Sequence, residues 1–66
     1  MDVWVNDDRR EVPSGTTVAA LMSDHGVPGR GVAVAVDGAV VPRTSWATVL
    51  LVEGTRVEVL TAVQGG

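Results

Sequence analysis

A stripe of apolar side chains at helical spacing, formed by Val18, Leu21 and Met22, lies in the first half of the chain. Thr16 precedes it as the predicted helix cap. Gly26 follows as the predicted stop, because glycine accepts the left-handed conformation in which many helices end. A helix of about eight to ten residues is too short to be stable alone in water. The rest of the chain must therefore supply a sheet against which this stripe packs.

The segment before the helix has the pattern of a short hairpin. Val3-Trp4-Val5 is typical of a strand, with the two valines on one face and Trp4 on the other. The polar residues 6–10 predict a turn, and Glu11-Val12-Pro13 predicts the start of the returning strand. Proline cannot donate a ladder hydrogen bond, so this second strand is expected to be short or at an edge.

Three further strands are predicted after the helix. Valine alternates with alanine over residues 32–36, and Asp37-Gly38 is a strong hairpin signal before Val40-Val41. Residues 42–45 break the pattern, and Trp46 lies in an irregular or single-turn segment. A turn at 53–55 then precedes the last strand, residues 56–61, whose Val57 and Val59 face the core.

This order of strands predicts an α+β domain in which one helix lies across one face of a mixed sheet. A helix between two hairpins describes a β-grasp fold. The 66 residues form one domain with a thin core, since a chain of this length buries only about 60% of its unfolded surface.

The composition excludes several classes of function. The chain has no cysteine, which excludes disulfides, thiolate metal sites and a thiol nucleophile. Its net charge is −3 and its arginines are scattered among acids, so no basic face for nucleic acid is expected. No segment is long and apolar enough for a bilayer, and no secretory signal opens the chain. A cytoplasmic location follows by default.

The conventional catalytic side chains are sparse. His25 is the sole histidine and is expected to cap the helix end or lie at the surface, with no metal site around one imidazole. Asp7 and Asp8 are adjacent in a predicted turn, which favours solvated turn residues over an acid–base pair. The glycines of 26–31 lack the lysine that a phosphate-binding Walker loop requires.

The remaining candidate is the tail Val63-Gln64-Gly65-Gly66. Four extended residues reach about 13 Å, and glycine has no Cβ, so such a tail can carry its carboxyl into a narrow channel. That carboxyl is ionised at neutral pH and needs activation, for example by adenylyl transfer from ATP, before a sulfur nucleophile adds. A chain without cysteine can carry sulfur only as such a thiocarboxylate. The simpler alternative is a frayed terminus without function.

The Pro42-Arg43-x-x-Trp46 spacing and the terminal Gly65-Gly66 pair are fairly specific when they occur together. They are accompanied by Val3-x-Val5-Asn6, Thr16-Thr17-Val18 with Leu21, Ala35-Val36-Asp37-Gly38, Val41, Glu53-Gly54, Val57-Glu58-Val59-Leu60 and Val63-Gln64. With these segments the sequence resembles the ThiS sulfur carriers of thiamine thiazole biosynthesis over essentially its whole length. One departure is Thr55, where family members commonly have Asp; it concerns the turn before the last strand.

The resemblance implies a ubiquitin-like β-grasp fold and a protein co-substrate rather than an enzyme. It implies that an E1-like adenylyltransferase of the ThiF type, using ATP and Mg²⁺, adenylates Gly66. Conversion to a thiocarboxylate would follow, with sulfur ultimately from a cysteine desulfurase, and delivery to a thiazole synthase of the ThiG type. The chain itself would hold no cofactor, while Val63, Gln64 and Gly65 thread the mobile tail into partner active sites.

A docking surface is also expected. Trp4 and Leu60 point away from the predicted core face, and the first and last strands of a β-grasp sheet are neighbours, so the two could form one apolar patch that anchors the activating enzyme. The alternative is that both are ordinary surface hydrophobes. Arg43 is either a further partner contact or solvated, and Trp46 is expected to cover the small core.

Other functions share the same tail. The chain could carry sulfur for molybdopterin or for another sulfur-containing metabolite. It could also be a modifier joined through Gly66 to lysines of target proteins. A plain interaction module is the remaining alternative, and it predicts that Gly65 and Gly66 are dispensable.

Overall fold

In the computed structural model of the protein, residues 1–25 and 31–61 are described. The elements, in chain order, are β1 (Asp2–Val5), β2 (Asp8–Glu11), α1 (Val18–His25), β3 (Val32–Val36), β4 (Ala39–Val41), a 3₁₀ turn (Arg43–Ser45) and β5 (Arg56–Thr61). The predicted order of two strands, a helix and three strands is confirmed, as are the bounds of the third and last strands and the single turn before Trp46.

Within the described ranges, the strands form one five-stranded sheet in the order β2-β1-β5-β3-β4. β1 and β5 run parallel, and every other neighbouring pair is antiparallel. The last strand therefore lies in the middle of the sheet and the first strand lies beside it, as predicted. Neither α1 nor the 3₁₀ turn has the length and apolar character to cross a membrane.

The first hairpin is tighter than the sequence predicts. Its turn consists of Asn6 and Asp7, with φ of 49° and 70°, which is the two-residue geometry that suits the twist of antiparallel strands. The prediction of a longer turn over 6–10, with the return beginning at Glu11, is wrong, because β2 already begins at Asp8. All four residues of β2 are exposed, and a charged edge strand protects a sheet against pairing with other chains. The predicted edge position is confirmed.

The helix cap is displaced by one residue from the prediction. The Ala20 N–H donates to Thr17 Oγ1 at 3.1 Å, so Thr17 rather than Thr16 caps α1. The Thr16 hydroxyl instead donates to the Pro13 carbonyl at 2.6 Å, within the preceding turn. The eight-residue length of α1 agrees with the prediction. Gly26, the predicted stop, and the His25 side chain lie outside the described residues.

The segment that follows the 3₁₀ turn completes the start of α1. The Val18 N–H donates to Val49 O at 3.0 Å, and the Ala19 N–H donates to Trp46 O at 2.9 Å. These amides have no partner within the helix itself, so the neighbouring segment satisfies them. Together with the Thr17 hydroxyl, it satisfies the first three amides of α1 and fixes the helix on the sheet.

The core lies between α1 and one face of the sheet. The Trp46 side chain is 7% exposed and its Nε1–H donates to Val41 O at 3.0 Å, which confirms that Trp46 covers the core. The buried apolar residues are Val3, Val5, Val18, Leu21, Met22, Val34, Trp46, Leu51 and Val57. The predicted apolar stripe of the helix is therefore confirmed in full.

The displaced cap makes a prediction about two adjacent threonines. Thr17→Val removes the capping hydroxyl without changing the side-chain shape, and we expect it to lower the free energy of unfolding by about 1 kcal/mol and to speed amide exchange at Ala20. Thr16→Val is the matched control and should leave Ala20 protected. Urea denaturation and NMR amide exchange measure both effects. Loss of Ala20 protection in Thr16→Val alone would contradict the assignment.

Candidate functional site

β5 is the described strand from which the chain runs on to the tail. It pairs with β3 over five residues, from Val36↔Val57 to Val32↔Thr61. With β1 it pairs only at Trp4↔Arg56 and Val5↔Val57, because β1 is shorter and ends there. The tail residues Val63, Gln64, Gly65 and Gly66 lie outside the described residues. What the structure shows is how the strand leading to them is held.

The turn before β5 is built around Thr55, which is 3% exposed. Its hydroxyl donates to Val52 O at 2.7 Å and accepts from the Val52 N–H at 3.0 Å. Gly54 has φ of 84°, and its N–H donates to Asp2 O at 2.8 Å. The predicted turn at 53–55 is confirmed, and the departure at Thr55 leaves it fully hydrogen-bonded.

Side chains from two hairpin turns form hydrogen bonds with the backbone of β5. Asp37, the first turn residue between β3 and β4, accepts from the Arg56 N–H at 2.9 Å, and its own N–H donates to Arg56 O at 2.7 Å. Asn6, the first turn residue between β1 and β2, accepts from the Val59 N–H at 2.8 Å and donates to Val59 O at 3.1 Å. Asp37 thus holds the beginning of β5, and Asn6 holds its second half.

Sequence reasoning assigned Asp37 only to a turn and missed the contact of Asn6 with β5. Both residues have positive φ, 48° for Asp37 and 49° for Asn6. Asn and Asp tolerate this conformation because their short side chains bond locally. The signal available in the sequence is an Asn or Asp at the first position of a two-residue hairpin turn, although the strand it contacts depends on the sheet order.

Trp4 and Leu60 lie on the sheet face opposite α1, as predicted, and are 39% and 61% exposed. They are not side by side. Trp4 lies opposite Arg56, and Leu60 follows Arg56 by four residues, about 13 Å along the strand. The exposed Glu58 projects from the same face between them. The expected single patch is therefore two separate apolar points on one face.

Trp4 and Leu60 differ in the residues that surround them. Trp4 has Arg9 and Arg56 as its cross-strand neighbours, beside an open groove of about 340 Å³. Leu60 lies opposite Ala33 on β3. On the same face Val40, 73% exposed, lies opposite Ala35. We call the set Leu60, Ala33, Ala35 and Val40 the outer strip.

The other predicted site residues lie elsewhere. Arg43 is exposed at the start of the 3₁₀ turn after β4, and β5 and β3 separate that edge from Trp4. Asp7 and Asp8 are exposed in the first hairpin, where solvated turn residues were expected. Among the side chains that the structure describes, no group of three or more His, Cys, Asp or Glu residues could hold a metal ion.

Comparison with known proteins gives the family. The sequence model of the ThiS family matches residues 3–66. The chain belongs to the ThiS family. Its fold matches the crystal structure of a thiamine biosynthesis protein (ThiS) from Geobacter metallireducens with a TM-score of 0.85, at 28% identity and over 100% of both chains. The ubiquitin-like β-grasp fold and the resemblance to ThiS carriers are thereby confirmed.

Two further relatives are similar. The NMR solution structure of a thiamine biosynthesis protein from Geobacter metallireducens matches with a TM-score of 0.81 and 26% identity, over 100% of this chain and 88% of that one. A protein named thiazole synthase from Paramagnetospirillum magneticum (strain ATCC 700264 / AMB-1) is 33% identical over 66 residues. This ThiS-family chain spans 20% of the length of that relative.

The turn before β5 yields a prediction about Thr55. Thr55→Val removes the hydroxyl that the Val52 N–H donates to, while Val52 O keeps the Thr55 N–H at 3.0 Å, and we expect the variant to lower the free energy of unfolding by about 1 kcal/mol. Thr55→Ser is the matched control, because it keeps the hydroxyl, and it should retain most of that stability. Urea denaturation compares them. Equal stability of the two variants would show that the hydroxyl bonds contribute little.

Proposed function

We propose that this chain is a sulfur carrier of thiamine biosynthesis that works through the carboxyl of Gly66. The observation that carries the proposal is the extent of the family match, which runs to residue 66 and so includes the Gly65-Gly66 pair. The whole-length similarity to two proteins described as thiamine biosynthesis proteins supports the pathway. In this role the chain is a co-substrate that enzymes modify.

The chemistry follows from the carboxyl group. A carboxylate oxygen of Gly66 attacks the α-phosphorus of Mg²⁺-bound ATP, pyrophosphate leaves, and a mixed anhydride with AMP forms. Hydrosulfide then adds to the carbonyl carbon and loses its proton, and AMP leaves with the electron pair of the broken C–O bond. The product is a terminal thiocarboxylate. The absence of cysteine from the chain leaves this terminus as the position where sulfur can be carried.

The proposed partners act in sequence. An E1-like adenylyltransferase of the ThiF type holds the ATP and Mg²⁺. A cysteine desulfurase is the ultimate source of the sulfur, which a thiol reductant releases from its persulfide as sulfide. A thiazole synthase of the ThiG type receives the sulfur. The thiazole synthase is supported by the relative of that name, which contains a segment 33% identical to this chain. The same relative favours thiamine over molybdopterin or protein modification as the destination. ATP-dependent activation fits a cytoplasmic setting.

The proposed docking face is the exposed face of the sheet. Trp4 and Leu60 act as separate anchors for the activating enzyme, since the register of β5 keeps them apart. The outer strip supplies apolar area around Leu60, whereas arginines flank Trp4 on both sides. Arg43 contacts a partner only if that partner also reaches the β4 edge. Val63, Gln64 and Gly65 enter the active site while the sheet remains outside.

The carrier role is tested by intact-mass analysis of the chain ending at Gly66. Incubation with the activating enzyme, Mg-ATP and inorganic sulfide should replace one oxygen by sulfur at the terminus. A chain extended by one alanine after Gly66 is the control and should remain unmodified, because its carboxyl is displaced from the reacting position. An unmodified Gly66 chain, or equal modification of the extended chain, would contradict the proposal.

The two anchors are tested by binding. Trp4→Ala and Leu60→Ala should each weaken binding to the activating enzyme about tenfold or more, the loss typical of truncating an interface anchor. Leu50→Ala is the matched control for Leu60→Ala, because Leu50 is also exposed, at 63%, but bridges Thr17 at the start of α1. Calorimetry measures the affinities. Unchanged affinity in both anchor variants would refute the docking face.

A further inference from the structure

We propose that Asn6 is the positioning residue for the tail: its side-chain amide fixes the end of β5 from which the chain continues to Gly66. The inference rests on the proposed function, because it assumes that the Gly66 carboxyl is delivered to a partner active site. Asn6 also lines the groove beside Trp4, so docking is read from KM and positioning from the rate at saturating carrier.

The structural basis is a mismatch in strand length. β1 ends at Val5, and its last contact with β5 through the backbone is the Asn6 N–H, which donates to Val57 O at 2.9 Å. The next groups on this edge of β5, the N–H and C=O of Val59, lie beyond the end of β1. The Asn6 amide accepts from the first and donates to the second, at 2.8 and 3.1 Å. One side chain thereby replaces a peptide group of the missing strand.

The turn conformation makes this substitution possible. At Asn6 the backbone has φ of 49° and turns away towards β2, while the side chain continues along β5. Glycine would adopt this φ without strain but has no amide to offer. Aspartate would keep the bond to the Val59 N–H and would turn a second acceptor towards Val59 O. Asparagine satisfies the turn and both β5 groups together.

The contact matters for the tail because the two edges of β5 are held unequally. On the β3 side, backbone pairing continues to Val32↔Thr61. On the β1 side, among the described residues, Asn6 makes the hydrogen bonds to β5 that lie beyond Val57. Without them the strand end can pivot about its β3 edge.

Asp37 provides a matched control. It also occupies the first position of a two-residue hairpin turn at positive φ, and its carboxylate also bonds a backbone N–H of β5. Its partner, Arg56, is at the opposite end of the strand, away from the tail. Asn6→Gly therefore removes two side-chain hydrogen bonds from the second half of β5, and Asp37→Gly removes one from its start; both keep a turn that glycine accepts.

The test compares the chain ending at Gly66 with these two variants. We expect Asn6→Gly to lose amide-exchange protection at Val59 and to be adenylated about tenfold more slowly at saturating carrier concentration, with little change in KM. Asp37→Gly should lose protection at Arg56 and keep its adenylation rate. Pyrophosphate release measures the rate. A normal rate for Asn6→Gly, or equal slowing of both variants, overturns the proposal.

Two further measures keep the outcome decisive. If Asn6→Gly does not fold, Asn6→Asp replaces it: this variant loses only the bond to Val59 O, so slower adenylation with Val59 protection retained is expected, and a normal rate overturns the proposal. If the chain without substitutions is not adenylated at all, the proposed function fails. The positioning role is then tested by the distribution of distances between the tail and α1. Because the chain lacks cysteine, Ser23→Cys and Gly66→Cys create a unique pair for spin labels. Asn6→Gly should broaden their distance distribution and Asp37→Gly should not; an unbroadened distribution in Asn6→Gly overturns the role.

Discussion

The parallel contact between β1 and β5 joins two parts of the chain that are about as far apart in sequence as the described residues allow. The Asp2 N–H donates to the Glu53 carboxylate across 51 residues, and the Asn6 side chain bonds Val59 across 53. Closing so long a loop costs entropy that only the completed sheet repays. Without this contact, Val3 and Val5 would have no Val57 beside them, and α1 would have no continuous apolar face to cover.

The same pairing leaves backbone groups of β5 without a partner strand, and side chains of the hairpin turns bond them. β5 has six residues, whereas β1 has four, so part of the central strand extends past its neighbour. Polar backbone groups left unpaired near a core are costly. Asn6 satisfies such groups on the β1 side, and Asp37 does the same on the β3 side, where β3 ends at Val36; both act from turns that the chain needs in any case. The molecule thereby completes a small sheet without longer strands, which suits a chain of 66 residues.

Much of this fold could be predicted from the sequence, because its strongest signals are local. The alternation at Val3 and Val5 and the Asp37-Gly38 turn specify strand faces and a hairpin without tertiary information. The predicted start of β2 is wrong because all four of its residues are polar, so hydrophobic periodicity gives no signal for a strand there. The cap was assigned to Thr16 instead of Thr17 because both have a suitable hydroxyl, and the Pro13 carbonyl decides between them.

The site was predictable only in part for a related reason. That Trp4 and Leu60 share a face follows from alternation along their strands, but their separation depends on the register between β1 and β5. The contact of Asn6 with Val59 requires knowing both the sheet order and where β1 ends. Such facts arise from tertiary structure, whereas the glycine pair at the tail is visible in the sequence itself.

The central position of β5 also has a mechanical consequence. A partner that draws on the chain beyond Thr61 pulls along the strand, between β1 and β3, rather than peeling a strand from the edge of the sheet. Hydrogen bonds on both flanks then resist the force together in shear, instead of opening one after another. Tension applied to the chain beyond Thr61 is thus shared across the sheet, and the exposed edges β2 and β4 bear it only through their neighbours.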